Sequence, residues 1–381
     1  MKLRKWILVG LVFGIILGLG LFRHHRQVPD TTPEAPFDAP QQMNYPNVRS
    51  RHGRPHVIAQ SPNGHAEAVT SRTFTNAYVR LMEEGLNITP EQLEPYVQKN
   101  NRSAESLLAA YRVSRERAFL REAMEKSPDD PRVCFDAYLL TAFFEREKST
   151  PEQISARLEA FKMAAPDNAL PHYLAAHEHF KSGHHELALQ ELEAASSKPQ
   201  LNDYSVEYVY LAEEAYRAAG CSEAEAKVMA NVQLLLPQLS HYKQLAEELY
   251  ALARQYLAVG DTASAYAAVQ MAFDLGRRLD SADSRYSIIQ RVGTEIQRRA
   301  LRILEPHTPW GTTGHTVAQQ LELVEQRRQA LGELGKIGMA LETLPDRDLI
   351  IFFDRTKLFG EEAALRWLQT ICPSAPAQPH Q

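Results

Sequence analysis

The chain has 381 residues, of which 44% are hydrophobic and 23% are charged. These are ordinary values for a soluble globular protein, so they exclude a polytopic membrane protein and a wholly disordered chain. The net charge of −5 is uneven: residues 1–65 carry eight Lys/Arg and three Asp/Glu, a net +5, which leaves −10 for residues 66–381. Nucleic-acid binding requires clustered Lys and Arg, so the acidic body predicts a protein that does not bind nucleic acid.

The N-terminus has the pattern of a membrane anchor. Three basic residues precede an uncharged apolar stretch from Trp6 to Phe22, whose 17 residues span about 26 Å as a helix. We predict a signal anchor over 1–26 with its transmembrane part at about 6–22, and a cleaved signal peptide is the alternative. The slight excess of positive charge before the span places the body outside the cytoplasm. We therefore expect a single-pass protein of a bacterial inner membrane with a periplasmic body.

Residues 27–71 are predicted to be a linker. Seven prolines lie between residues 23 and 65, among scattered Gln, Asn, His and Arg. Such a segment has too few apolar side chains to bury and is typical of a flexible spacer. A proline-rich ligand segment is the alternative interpretation.

From residue 72 onward the pattern is helical. Thr89-Pro90 and Thr150-Pro151 each place a capping threonine before a proline suited to the first helical turn. No run of alternating β-branched and polar residues is long enough to predict a sheet. We therefore predict an all-α fold. It has a helical domain over 72–305, a C-terminal helical cap over 306–371 that begins with a loop at 307–316, and a disordered tail over 372–381.

Three glycines mark a repeat in this helical region. Gly183, Gly220 and Gly260 lie 37 and 40 residues apart. In the first and third units a tyrosine lies ten residues before the glycine and an alanine lies seven residues before it. Two more alanines lie five and twelve residues after the glycine. These residues are Tyr173, Ala176, Ala188 and Ala195 in one unit, and Tyr250, Ala253, Ala265 and Ala272 in the other. Small residues allow two antiparallel helices to approach closely, and the glycine supplies the left-handed turn between them. The middle unit has Glu213 in place of the first alanine.

This pattern resembles the tetratricopeptide repeat. Tyr256 stands at the aromatic position of that motif, Gly260-Asp261 matches its turn, and Pro199 lies near its closing proline. The resemblance covers 169–199 and 246–275 and is weaker over 206–235. It implies a right-handed α-solenoid of antiparallel helix pairs whose last apolar face needs a terminal cap.

The resemblance also implies where a partner would bind. In the repeat family, the first helix of each pair lines a concave groove. The matching positions are Tyr173, His177 and Lys181 in the first unit, Tyr210, Glu214 and Arg217 in the second, and Tyr250, Arg254 and Leu257 in the third. We predict that these residues bind a protein or peptide, although the tyrosines alternatively only fill the interior of the superhelix. The carboxylate clamp of the family is not reproduced, because tyrosine stands where its lysine would be.

Motifs for chemistry are missing from the chain. It has no GxxxxGK[ST], GxSxG or HExxH sequence. Five neighbouring histidines do not have the spacing of converging helical ligands and are predicted to be packing and turn residues: His172, His177, His179, His184 and His185. Cys221 follows a turn glycine next to acidic residues that raise a thiol pKa, so we do not expect it to be a nucleophile.

Together these features favour a membrane-anchored scaffold that needs no cofactor and is not an enzyme. The alternative is an enzyme or small-molecule-binding protein with its site in the C-terminal helices. A third interpretation, an assembly subunit of an envelope complex, differs from the scaffold only in its partner.

Overall fold

A computed structural model of the protein describes residues 76–312 and 314–372. The predicted anchor, the predicted linker and all but one residue of the predicted tail lie outside this part of the chain. The described residues contain sixteen α-helices and one two-stranded sheet, so the predicted all-α class is confirmed.

The helices of the N-terminal half are α1 (Ala77–Glu84), α2 (Pro90–Lys99), α3 (Ala104–Ser114), α4 (Arg117–Lys126), α5 (Pro131–Leu139), α6 (Pro151–Ala164), α7 (Leu170–Lys181) and α8 (His185–Ser197). Those of the C-terminal half are α9 (Ser205–Ala218), α10 (Glu223–Val232), α11 (Gln238–Ala258), α12 (Thr262–Leu279), α13 (Ser287–Leu301), α14 (Val317–Ile337), α15 (Asp346–Phe359) and α16 (Glu361–Ile371). A π-helix (Leu140–Phe144) and a 3-10 turn (Arg146–Lys148) connect α5 to α6, and a second 3-10 segment (Gly338–Thr343) follows α14.

Helix starts follow the predicted capping signals. Helix α2 begins at Pro90 with Thr89 as its N-cap. At the start of α6, the Gln153 backbone N–H donates to Thr150 Oγ1 at 3.3 Å, and the Thr150 N–H donates to Gln153 Oε1 at 2.9 Å. This reciprocal pair satisfies two backbone donors that the helix itself leaves unpaired.

The segment 307–316, predicted to be a loop, instead contains a small hairpin. Strands β1 (Pro309–Trp310) and β2 (His315–Thr316) pair antiparallel. Trp310 is buried, with its ring centroid 4.9 Å from that of Phe273 and 5.3 Å from that of Tyr266, both on α12. Burying this large ring fixes the segment, which is why it is ordered rather than an open loop.

The glycine repeat is confirmed as a set of helix–turn–helix pairs. Gly183, Gly220 and Gly260 join α7 to α8, α9 to α10, and α11 to α12, with φ angles of +75°, +97° and +79°. Only glycine adopts this left-handed conformation without a steric cost. The six repeat alanines of the first and third units all have 0% of their surface exposed, as expected for positions where helices touch.

The three pairs do not stack in chain order, which corrects the arrangement that the resemblance implies. The first helix of the third pair, α11, packs directly against α7 of the first pair. The middle pair is displaced: α9 packs against α3 and α2, whereas α10 packs against α1 and α15. The C-terminal helices then connect the two groups, because α14 packs on α16, α16 on α15, and α15 on α10.

Glu213 provides a physical reason for this displacement. It occupies the position at which the other two units have a fully buried alanine, and its carboxylate forms ion pairs with Lys227 Nζ at 2.7 Å and with Lys357. A charged side chain that needs polar partners cannot serve as a close-packing site. The Glu213 carboxylate therefore links α9 to Lys227 of α10 within the pair and to Lys357 of α15 outside it.

The repeat register predicts losses of stability of different size at two nearby positions of α11. Ala253→Leu is expected to cost roughly 1–3 kcal/mol, because Ala253 is completely buried and a larger side chain overpacks the helix interface. Leu257→Ala is expected to cost much less, because Leu257 is 36% exposed. Urea unfolding followed by circular dichroism measures both, and equal losses would show that the register is misplaced.

Candidate functional site

Three of the nine predicted groove residues are buried. Tyr250 is 1% exposed and donates a hydrogen bond from its hydroxyl to the Ile296 carbonyl oxygen at 2.8 Å. Tyr173 packs edge-on against Tyr242, and His177 is 5% exposed. The expectation that Tyr173, His177 and Tyr250 line an open groove is therefore wrong, because these side chains fill the core instead.

The other six predicted groove residues differ in their surroundings. Exposed side chains are found at Lys181, Tyr210, Glu214, Arg217, Arg254 and Leu257. Tyr210 is 46% exposed, and Lys357 of α15 places its Nζ 4.8 Å from the centroid of the tyrosine ring. Arg217 donates to the carbonyl oxygen of Cys221 at 3.1 Å within its own pair. The predicted surface on α9 is thus partly occupied by the C-terminal helices of the chain.

A charged cluster holds α15 on the middle pair. Lys227 of α10 donates to Asp354 Oδ1 at 2.5 Å and to Glu213 Oε1 at 2.7 Å, and Lys357 also pairs with Glu213. Burial lowers the pKa of Lys227, but hydrogen bonds from its ammonium group to Asp354 and Glu213 outweigh this and raise the pKa above its usual value. Lys227 therefore stays charged although it is almost fully buried.

An aromatic–arginine cluster lies on the C-terminal hairpin and consists of Arg355, Phe359 and Trp367. The Arg355 guanidinium carbon lies 5.6 Å from the centroid of the Phe359 ring and 5.7 Å from that of Trp367. Phe359 is 60% exposed and its neighbour Leu358 is 56% exposed. Trp367 falls within the helical cap predicted over 306–371, but neither Arg355 nor Phe359 is among the predicted site residues. The i,i+4 spacing of Arg355 and Phe359 was the available signal.

The predicted histidine group separates into different environments. His172 Nδ1 lies 2.7 Å from Glu191 Oε2. His184, in the turn after α7, and His185, the first residue of α8, are both exposed. His177 instead stacks on His241 of α11, with ring centroids 4.8 Å apart. Among the residues that the structure describes, no three His, Cys, Asp or Glu side chains come together as metal ligands.

The thiol of Cys221 is not activated in this structure. Burial and the nearby Glu225 carboxylate both raise its pKa above the ordinary value. A thiol with a raised pKa carries little thiolate at neutral pH, which is the form needed for nucleophilic chemistry.

Two small cavities lie between the helices. One holds about 10 Å³ beside Arg112, Tyr208 and Tyr216, and the other holds about 50 Å³ beside Asp203 and Tyr242. Drug-sized ligands need pockets of about 300–1,000 Å³, so each of these has room only for water-sized groups. Neither is lined by side chains of the C-terminal hairpin α15–α16.

Comparison of the chain with protein-family models, with curated proteins and with solved structures finds no match. The tetratricopeptide resemblance therefore depends on the repeat residues alone. Within residues 76–312 and 314–372, no helix has the length and apolar character that crossing a membrane requires. The predicted anchor at 6–22 falls outside those residues.

Proposed function

We propose that this protein is a membrane-tethered adaptor whose helical body binds another protein through the aromatic–arginine cluster of α15 and α16. The observation that supports this proposal is the exposure of Phe359 beside an arginine that contacts two aromatic rings. Tryptophan, tyrosine and arginine are the residue types that contribute most of the binding energy at protein interfaces.

The cluster is organised before a partner arrives. The Arg355 guanidinium lies within cation–π distance of both rings, at 5.6 Å from the centroid of Phe359 and 5.7 Å from that of Trp367. Gly360, with a φ of +89°, makes the tight turn that brings α16 back against α15. A preorganised surface loses less conformational entropy on binding than a flexible one, which favours affinity.

The fold part of the proposal is a divergent α-solenoid. The first and third glycine-marked pairs keep the tetratricopeptide-like register and pack on each other, whereas the middle pair joins the N-terminal and C-terminal helices. The exposed residues Tyr210 and Arg217 of α9 form a second candidate surface on this scaffold, and the exposed Arg254 belongs to a different helix, α11. Lys357 lies against Tyr210, so this surface is less accessible than the hairpin.

The cellular part of the proposal depends on the N-terminal sequence. A signal anchor over residues 1–26 and a proline-rich spacer over 27–71 would hold the body at the outer face of a bacterial inner membrane. A flexible spacer of that length has an r.m.s. span of roughly 35–40 Å, which would let the body reach partners near the bilayer.

Capture of the tagged full-length protein from detergent-solubilised membranes tests the proposed surface. Phe359→Ala combined with Arg355→Ala is expected to reduce recovery of the main partner about 30-fold or more, which is the effect of removing a binding hot spot. The thermal midpoint should fall only modestly, because the Phe359 side chain is mostly exposed and that of Arg355 is only half-buried.

Two further double variants are compared in the same capture experiment. His184→Ala with His185→Ala alters the exposed start of α8 and should leave capture unchanged. Tyr210→Ala with Arg254→Ala tests the groove that the repeat resemblance implies. If only the groove variant loses the partner, the binding surface is misassigned, and if no variant affects capture, neither surface serves an adaptor function.

A further inference from the structure

A pair of buried histidines lies where α11 meets α7 and the end of α5. The imidazole rings of His177 and His241 are stacked at a centroid distance of 4.8 Å with an interplanar angle of 23°. They are 5% and 6% exposed. The Tyr138 hydroxyl lies 3.5 Å from His241 Nδ1, and the ring of Phe143, in the π-helix, lies 5.7 Å from that of His241. The histidines thus connect three segments that are distant in sequence.

Protonation of either buried imidazole is unfavourable in this packing. His177 Nδ1 is buried, and no hydrogen-bond partner for it is found within the described residues. A protonated imidazole has two donors, and each needs an acceptor when it is buried. Two stacked rings that were both protonated would also repel each other at close range.

The charged groups around the pair do not compensate for this cost. Helix α7 contributes Glu178 and Lys181, and the turn after the π-helix contributes Arg146, which pairs with Glu178 at 2.8 Å. Helix α5 presents the neutral phenol of Tyr138, and α11 contributes His241 itself. The Glu178 carboxylate is already paired with Arg146, so the charge of Lys181 leaves the surroundings of the histidine pair net positive.

These surroundings determine which protonation state is compatible with packing. Burial lowers the pKa of His177 to about 4. Burial, together with the charge of a protonated His177, lowers the pKa of His241 to about 3. An exposed histidine has a pKa near 6.5. A conformation in which this contact is open therefore binds protons at a higher pH than the closed conformation does.

We propose that the His177–His241 stack is an acid-responsive contact that holds α11 against α7 and the π-helix at neutral pH and releases it when the pH falls. The sign follows from linkage. Because both imidazoles are harder to protonate in the closed form, closure is fully favoured above pH 6.5 and weakens as the pH drops toward 4. This inference concerns the conformation of the body and does not depend on the proposed partner.

The magnitude follows from the same linkage. Each histidine favours the open form by up to about tenfold per pH unit below 6.5, so the two together raise the open population roughly 500-fold between pH 7 and pH 5. A contact that opens this steeply responds to mild acid, well above the pH at which most carboxylates lose their charge.

Amide hydrogen exchange of the full chain at pH 7 and pH 5, corrected for intrinsic exchange rates, measures this opening. Amides of α7, α11 and the π-helix are expected to exchange roughly 500-fold more readily at pH 5. Combining His177→Phe with His241→Phe should reduce that change to less than about tenfold, and each single replacement should leave about 20-fold. His184→Ala with His185→Ala should behave like the wild type.

Glutamine variants and a direct NMR titration of the two imidazoles test the same proposal independently. If the double phenylalanine variant does not fold, as judged by circular dichroism at pH 7, His177→Gln and His241→Gln place neutral polar side chains at the same positions. NMR titration of the imidazole ring protons should show both histidines neutral in the closed form at pH 6. An unchanged pH response in the variants, or ring pKa values near 6.5 in the folded protein, would overturn the proposal.

Discussion

Asp136→Asn is expected to reduce the free energy of unfolding by about 3–5 kcal/mol, because it leaves a buried arginine without its counter-charge. Asp136 lies on α5 with 2% of its side chain exposed, and its partner Arg112 lies on α3 with 9% exposed. Arg112 Nε donates to Asp136 Oδ2 at 3.1 Å, and its Nη2 donates to Oδ1. The pair is therefore bidentate, the geometry that best offsets the cost of burying two charges.

A third helix completes this junction. The Arg112 guanidinium carbon lies 3.2 Å from the centroid of the Tyr208 ring on α9, and the Tyr208 hydroxyl donates to the Arg132 carbonyl oxygen at 3.2 Å. An arginine remains charged at every accessible pH, so loss of the Asp136 charge leaves an unpaired buried charge on Arg112. The substitution should loosen the attachment of the displaced middle pair as well as lower global stability.

Urea unfolding of matched variants measures this effect. Glu333→Gln removes one member of an exposed pair with Lys336, whose side chains are 62% and 70% exposed, and should change stability by less than about 0.5 kcal/mol. Arg112→Met with Asp136→Leu removes both buried charges and should recover most of the loss. If Asp136→Asn costs no more than Glu333→Gln, the ion pair does not hold this junction together.

Local features of the fold were predictable from the sequence. The capping box at Thr150 and the turn at Gly183 depend on a few neighbouring residues, and the structure confirms both. The alanines at the repeat positions were predictable for the same reason, because helix periodicity places them on one face. Ala176 and Ala253 are buried as that periodicity requires.

The groove prediction failed in part because it needed the order in which helices pack. Tyr250 and Tyr210 occupy matched repeat positions, yet Tyr250 is buried against α13 and Tyr210 is exposed beside α15. Periodicity identifies the face of a helix but not the helix that covers it. Contacts such as Arg112–Asp136 and His177–His241 join residues 24 and 64 positions apart, and no spacing rule predicts pairs at that distance.

The close contact between α12 and α13 predicts that replacing glycine by alanine destabilises the protein there, whereas the same replacement in α14 stabilises it. Gly276 of α12 and Gly293 of α13 face each other so closely that a Cβ added to Gly276 would lie 2.6 Å from the Gly293 carbonyl oxygen. A Cβ added to Gly293 would lie 2.7 Å from the Asp280 backbone nitrogen. These neighbours are backbone atoms, so they cannot move aside as a flexible side chain would, and the helices must separate.

We therefore expect Gly276→Ala and Gly293→Ala each to cost about 2–3 kcal/mol in urea unfolding, with Gly293→Val costing more. Gly332→Ala in α14 is the matched control, because a Cβ there meets no atom within 4 Å. It should stabilise the protein by up to about 1 kcal/mol, since alanine favours a helix more than glycine does. Opposite signs would show that backbone contact, rather than helix propensity, governs the interface. Stabilisation at all three positions would mean that α12 and α13 do not pack this closely.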